Sequence, residues 1–257
     1  IGRLVAWLHD PKVGAVTGNL RASNAEATWL TRLIDTRYRL LFERERAAQG
    51  FFGTVFCCAG PFSAYRRDAV MEVLDDYLGQ RFLGRRRVCG DDLKLTNLVL
   101  ARGYRSEFEP DATATTDVPT TVRRFVRQQL RWNRSFYREL PRMLRLLPGR
   151  SLYLSLDLAS RTLLPALSAV VVGATAADAL VDPAGVPLGL AALSGMALLT
   201  LPLGPPMSEA AGRRFALGYG LVFVGLLLPT RVWAASTLFR NCWGTRGPGR
   251  LPADLGE

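Results

Sequence analysis

The sequence predicts an α/β body followed by helices that lie on or cross a bilayer. Two observations carry this reading. Strand-like and helix-like runs alternate over residues 1–150, the pattern of a largely parallel sheet with helices packed on it. From about Leu152 onward charge almost vanishes for long stretches, the only clear compositional boundary in the 257 residues. No internal repeat or low-complexity tract is visible.

Taken in order, residues 1–9 read as an amphipathic helix and VGAVTG as a buried strand. The chain opens with Ile1 in mid-pattern, so a fragment is expected. Asn24 to about Ala48 predicts a long charged helix, with Asn24 as its cap and Gly50 ending it. FFGTVFCCAG, an apolar run bounded by glycine, predicts a buried strand. YRRDAVMEVL starts a further helix. GDDLKLTNLVLARGY reads as a loop, then a short helix closed at Gly103. YRSEFEPDA alternates like a strand, and residues 119–147 form a second long, Arg-rich helix. Apolar stretches at 158–181 and 186–204 each approach the ~20 residues that span a bilayer. A third, 215–239, is interrupted by Pro229 and Arg231. Arg213 and Arg214 favour a return to the cytosol after the second span, which leaves the third interfacial or dipping in and back.

The formal net charge is +11, and Lys12 and Lys94 are the only lysines. Such a balance points to anionic partners. Many arginines lie between 123 and 161, beside the apolar region, which favours a cytoplasmic membrane face over nucleic acid. No nucleic-acid-binding motif is present, and nucleic acid is not expected as a partner. Cys57, Cys58, Cys89 and Cys242 form no CxxC pair, which excludes zinc-ribbon and thioredoxin-like readings and leaves reduced cytosolic thiols. His9, the single histidine, reads as structural, so general-base chemistry falls to a carboxylate.

Four stretches can carry chemistry, each with a plainer structural account. Asp91 and Asp92 in GDDLKLTN suit the start of a helix, where acids favour the first turn. They also suit a carboxylate base that takes the proton of a sugar hydroxyl. In FVRQQLRW, at about 100° per residue, Gln128, Arg131 and Trp132 share one side with Arg124 and Ser135. Arginine grips phosphate oxygens in a fork, tryptophan offers a flat face to a sugar, and glutamine both donates and accepts. The plain account is an interfacial tryptophan anchor. Arg123, Arg127, Arg134 and Arg138 form a separate stripe suited to anionic headgroups. Ala59-Gly60-Pro61, after Cys58, allows close backbone approach or simply makes a turn. Trp243, Gly244, Thr245 and Arg246 read as a phosphate-contacting loop or as a juxtamembrane anchor.

In this order and spacing the motifs are specific. CCAGP…YR, GDDLKLTN, GYRSEFEPDA…VP, RQQLRW…S.YRE, the apolar stretches and P.R.WA…WGTR together resemble the processive family 2 glycosyltransferases. The likeness is closest to hyaluronan synthases and nodulation-type chitin oligosaccharide synthases, and it covers essentially the whole chain. It implies a partial GT-A domain over 1–118, an interfacial helix with the QxxRW motif over 119–150, transmembrane and interfacial helices over 151–240, and a cytosolic gating loop and tail over 241–257. The fold so implied is α/β, the C-terminal half of a GT-A domain, followed by interfacial and transmembrane α-helices in a multi-pass cell-membrane protein with its catalytic part cytosolic. The implied activity is inverting transfer from a UDP-sugar, with Mg²⁺ or Mn²⁺, onto a growing β-linked polymer extruded through the same protein.

Asp92 would be the catalytic base with Asp91 in support. Gln128, Arg131 and Trp132 would hold the acceptor sugar and donor diphosphate. Cys58, Gly60 and Pro61 would lie near the acceptor end. Trp243, Thr245 and Arg246 would gate the nucleotide. Pro229 to Ala234 would be an interfacial helix. One departure is serious. No DxD precedes VGAVTG, and Asp75, Asp76 and Tyr77 are in the wrong place to replace it, so this chain alone is not expected to bind donor or metal normally. A two-donor hyaluronan-type copolymer, a one-donor chitin-type polymer and an inactive membrane homologue all stay open. A peripheral nucleic-acid binder would instead be extracted by high salt.

Overall fold

A computed structural model describes residues 1–79, 81–82, 84–86, 90–181, 189, 191 and 222–240. Strands β1 (Val13–Ala22), β2 (Ser63–Tyr65), β3 (Arg81–Phe82), β4 (Arg85–Arg86) and β5 (Arg105–Thr116) make two sheets. The larger has the order β2-β1-β5, and β3 and β4 form a separate small hairpin. The first eight residues of β1 are all buried, as its unbroken small and apolar sequence requires of a central strand. β1 pairs with β5 in parallel but with β2 antiparallel, so the sheet is mixed rather than largely parallel. The reason is a turn at 59–62, closed by Phe62 N–H donating to Ala59 C=O at 3.0 Å, which reverses the chain back along β1. On β5 the register jumps from Gly18↔Glu109 to Asn19↔Thr113. Pro110 lies in that bulge, where its missing N–H forfeits no ladder bond.

Helix α1 (Gly2–Trp7) is shorter than expected, and His9 follows it in an exposed turn. The predicted long helix begins later than its sequence implied. Thr28, not Asn24, caps α2 (Trp29–Leu40), through a capping box with Thr31. Asn24 instead clamps Val118, accepting its N–H and donating to its C=O, both at 2.9 Å. A π-helical turn (Leu41–Arg46) carries the chain into α3 (Ala47–Phe51). That helix runs through Gly50, so glycine does not end it there. A Cβ at Gly50 would stand 3.0 Å from Phe108 Cβ, and the glycine serves close packing against β5.

FFGTVFCCAG is not a strand. Thr54 makes one isolated parallel bridge to Ser106, and from a bend at Phe56 the chain pairs with no strand. Its backbone donors find side chains rather than a neighbouring strand: Phe56 N–H donates to Gln49, Cys58 N–H to Thr96 and Ala59 N–H to Thr17. Apolar periodicity cannot register that substitution.

Helices α4 (Arg67–Met71) and α5 (Leu74–Leu78) precede α6 (Asp91–Ala101), which Gly103 closes with φ +91° as expected. Helix α7 (Val122–Arg145) is capped by Thr121. Helix α8 (Leu152–Val181) contains a segment, Leu152–Leu180, apolar enough to cross a membrane, with mean hydropathy 1.8 and only 11% of its apolar window buried. The second apolar stretch, 186–204, lies outside the described residues apart from 189 and 191. In the third, a π-helical turn (Phe223–Leu227) leads into α9 (Leu228–Ser236), which packs on α7 and α8.

A buried polar network ties the base of α8 to the body. Arg161 contacts Glu45 at 2.7 Å and Asp157 at 2.9 Å, Arg37 reaches Glu45 at 2.7 Å, and Gln49 Nε2 donates to Asp157 at 2.7 Å. Burial alone would raise the Glu45 carboxyl, but the Arg161 and Arg37 charges outweigh it and hold the group at about 2. A depressed carboxyl stabilises the fold above its unfolded value of about 4.3, and that contribution is lost as pH falls through the folded value. Glu45→Gln is therefore expected to cost about 3 kcal/mol at neutral pH, the scale for breaking a buried pair. It should also flatten the loss of stability between about pH 5 and 2. Urea unfolding across that range checks both; an unchanged acid limb would remove Glu45 from the network.

Candidate active site

The site forms where the unpaired segment Phe56–Gly60 meets the N-terminus of α6. Asp92 stands in the first turn of that helix, where a carboxylate is favoured by the exposed N–H groups. Its Oδ2 accepts the Gly60 N–H at 3.2 Å and its Oδ1 accepts the Leu93 N–H at 2.8 Å. Gly60 and Pro61 are exposed, so the carboxylate lies beside an open backbone shelf. A Cβ at Gly60 would make only ordinary contact, 3.6 Å from Asp92 Oδ2, so the chain's own packing does not require glycine there. Asp91, half-buried, shares the first turn. Burial, then the charges of Asp91 and Asp92, raises the nearby Tyr77 hydroxyl.

The shelf is fixed from beneath. Thr96 Oγ1 accepts the Cys58 N–H at 3.0 Å, donates to Asp92 C=O at 2.7 Å and lies 2.9 Å from the Tyr65 hydroxyl. Asn97 Nδ2 donates to Phe56 C=O at 3.0 Å. Cys58 is fully buried, so it offers a backbone group and no side chain to a ligand. Burial pushes its thiol up to about 12. Half-buried Cys57 faces the acid: burial first, then the Asp92 charge, raises its thiol well above the ordinary range. Neither Cys57 nor Cys58 is paired in a disulfide.

Helix α7 locks onto α6. Lys94 reaches Glu139 at 3.7 Å in a buried pair, and Arg142 contacts the same carboxylate at 3.2 Å. Gly90, with φ +88°, starts α6 against Ser135, and a Cβ there would stand 2.6 Å from Ser135 Cβ. The acid pair and the helix bearing Gln128, Arg131 and Trp132 are thus held together through Gly90–Ser135 and Lys94–Glu139. Sequence reading missed Lys94, Thr96, Asn97 and Gln49. The available signal was three polar residues, Lys94, Thr96 and Asn97, within an otherwise apolar short helix.

The three residues of the QxxRW motif have different surroundings. Gln128 is half-buried, and its Oε1 is enclosed without a hydrogen bond. Arg131 is half-buried near Tyr38; burial raises that hydroxyl to about 12 and the Arg131 charge draws it down. Trp132 lines a cavity of about 180 Å³ with Tyr38, Gln129, Asn133, Arg161 and Arg231. Gln128 and Arg131 do not line it. The expected cationic stripe divides as well. Arg123 and Arg127 are exposed, but Arg134 and Arg138 are buried, because α9 returns across α7. Arg134 donates to Thr237 Oγ1 at 2.8 and 3.1 Å. Arg138 donates to Arg240 C=O at 2.9 Å and to Leu238 C=O, and stacks 5.9 Å over Phe82. These two residues cap the carbonyls after α9 rather than meeting lipid. Trp243, Thr245 and Arg246 lie outside the described residues.

The resemblance implies a divalent metal. Among the described residues no group of three or more His, Cys, Asp or Glu is placed to hold one. The residues present do not fit the ion, and no step below is routed through it.

The sheet and its helices place a carboxylate beside an open backbone shelf. The profile of the glycosyl transferase family group 2 matches residues 2–237, and the chain belongs to that family. It is 41% identical over 263 residues to an N-acetylglucosaminyltransferase of Bradyrhizobium diazoefficiens, covering 100% of this chain and 53% of that protein. It is 42% identical over 257 residues to an N-acetylglucosaminyltransferase of Sinorhizobium fredii, covering 98% of this chain and 61% of the relative. The chain thus spans between 53% and 61% of the length of these relatives. A solved mannosyltransferase, PcManGT from Pyrobaculum calidifontis in complex with GDP-Man and Mn2+, aligns with TM-score 0.48 and 20% identity over 92% of this chain and 56% of that one.

Gly90→Ala combines a left-handed backbone with the Ser135 contact and is expected to destabilise by about 2 kcal/mol. Adding Ser135→Gly should restore part of that loss in urea unfolding. No recovery would show that Ser135 does not set the position of Gly90.

Proposed function

We propose that this chain forms the acceptor side of an enzyme that transfers N-acetylglucosamine from UDP-N-acetylglucosamine to the growing end of a β-linked polymer. The carrying observation is the Asp92 carboxylate, held at an open shelf by Gly60 N–H and braced against the helix of Gln128, Arg131 and Trp132. The relatives' names support N-acetylglucosamine as the transferred sugar and favour a one-donor, chitin-type product over a two-donor copolymer.

In this reading the acceptor hydroxyl hydrogen-bonds to the free edge of Asp92. As its oxygen attacks the anomeric carbon, Asp92 takes the proton, and the bond from that carbon to the UDP oxygen breaks. A single in-line displacement of this kind inverts the anomeric centre. Asp91 supports the local negative field. Trp132 offers its flat face to a sugar, and Gln128 and Arg131 supply hydrogen-bonding groups to hydroxyls and phosphate oxygens. Trp243, Thr245 and Arg246 would complete the nucleotide contacts. The apolar segment Leu152–Leu180 supports a membrane location. A multi-pass protein with its catalytic part cytosolic fits the distribution of arginine.

UDP release from membranes carrying the natural reading frame that contains this chain tests the reading. UDP-N-acetylglucosamine alone should suffice, and UDP-glucuronate should add nothing. A requirement for both donors would make the product a hyaluronan-type copolymer. Asp92→Asn should lower turnover about a thousandfold, within the range of general-base contributions, with membrane insertion unchanged. Retained turnover would sink the base assignment.

A further inference from the structure

We propose that Gln49 is a positioning residue of this active site, setting the Phe56–Gly60 shelf from the base of α8. The inference rests on the reading of Asp92 given above. Gln49 is 1% exposed, and both ends of its amide are hydrogen-bonded. Its Nε2 donates to Asp157 Oδ2 at 2.7 Å, and its Oε1 accepts from Arg46 Nη1 at 2.8 Å and from Phe56 N–H at 3.3 Å. The two ends of one side chain therefore join two structures: the first turns of the apolar helix α8, and the start of the segment that ends at Asp92.

The join matters because that segment has no strand beside it. Phe56 is 2% exposed, so its N–H has no water to turn to when Gln49 is removed. The next bonded donors along the segment are held by Thr96, Thr17 and finally Asp92. A shift at Phe56 is passed along the four residues that follow to the Gly60 N–H, and so to the carboxylate that takes the proton. Asp157 and Arg161 orient Gln49 in turn, which makes the seating of α8 part of the geometry of the site.

Two variants separate this role from simple stability. Gln49→Met keeps length and apolar bulk but loses every hydrogen bond. Gln49→Glu keeps acceptors for Phe56 and Arg46 but cannot donate to Asp157 and sets two carboxylates together. Both are made in the natural reading frame, with every cysteine other than Cys57 and Cys58, Cys89 and Cys242 included, replaced by serine so that Cys57 and Cys58 report on the shelf. Turnover is normalised to folded protein. Gln49→Met is expected to lower kcat about a hundredfold with KM for UDP-N-acetylglucosamine nearly unchanged, the effect of a small misplacement of a reacting group. Gln49→Glu should fall between Gln49→Met and the parent. Maleimide labelling of Cys57 should quicken about tenfold in Gln49→Met as its burial is relieved. A loss confined to the yield of folded protein, with kcat and labelling unchanged, overturns the proposal. So does a rise in KM with kcat preserved. If the parent releases no UDP, the reading of the reaction fails, and the labelling still decides whether Gln49 holds the shelf.

Discussion

Much of this structure follows from one constraint: a stretch of backbone that starts buried at Phe56 and surfaces at Gly60 has side chains instead of a strand to satisfy its N–H groups. Each buried donor left unpaired costs about 1–3 kcal/mol, so the partners are not optional. Four side chains from three elements supply them. Gln49 reaches from α3, Thr17 from β1, and Thr96 and Asp92 from α6. Any arrangement that satisfies all four fixes α3, α6 and β1 relative to one another. Asp92 is itself the last of these partners, so folding the shelf and orienting this carboxylate are one event.

The same economy holds across α6 and α7. Lys94 and Glu139 are 7% and 2% exposed at the side chain, and a pair so enclosed would be poor glue if stability were its only effect. Its directional consequence is larger. It joins the helix that begins with Asp91 and Asp92 to the helix that carries Gln128, Arg131 and Trp132, four residues beyond the φ +88° glycine that abuts Ser135. Two contacts on one flank of α7, Gly90–Ser135 and Lys94–Glu139, leave it little freedom to rotate against α6.

What the sequence made legible was whatever depends on periodicity and local chemistry. β1, β5, α6 with its glycine stop, and α7 were readable because burial pattern and turn residues agree there. The misreadings share a cause. Asn24 has the chemistry of a cap, but Thr28 with Thr31 offers two reciprocal bonds, and Asn24 does more by holding Val118 across ninety-four residues. FFGTVFCCAG has the pattern of a strand, yet whether a strand lies beside it is a property of the whole fold. The sheet direction at β2 was equally hidden, being decided by one turn. Local pattern reports what a segment can do; its partners decide what it does.

The arginines of α7 make the point most sharply. At helical spacing, Arg123, Arg127, Arg134 and Arg138 form a single stripe, and a stripe of that kind beside an apolar region reads as lipid-facing. Periodicity gives an angle around the helix but no information about what lies along it. α9 crosses the C-terminal half of α7, so Arg134 and Arg138 meet the carbonyls and hydroxyl of residues 237–240, which a planar guanidinium can satisfy several at a time. Arg123 and Arg127, beyond the crossing, stay exposed. On its other side α9 reaches α8 through Arg231, which donates to Arg161 C=O at 3.2 Å. The first turns of α8 are therefore tied to the body of the chain through Asp157 and Arg161. Residues 162–180 extend about 28 Å further at the α-helical rise, close to the thickness of a hydrocarbon core. Asp157 joins those first turns to the amide that holds the shelf. The contacts between α8 and the body thus reach about three turns past the compositional boundary at Leu152.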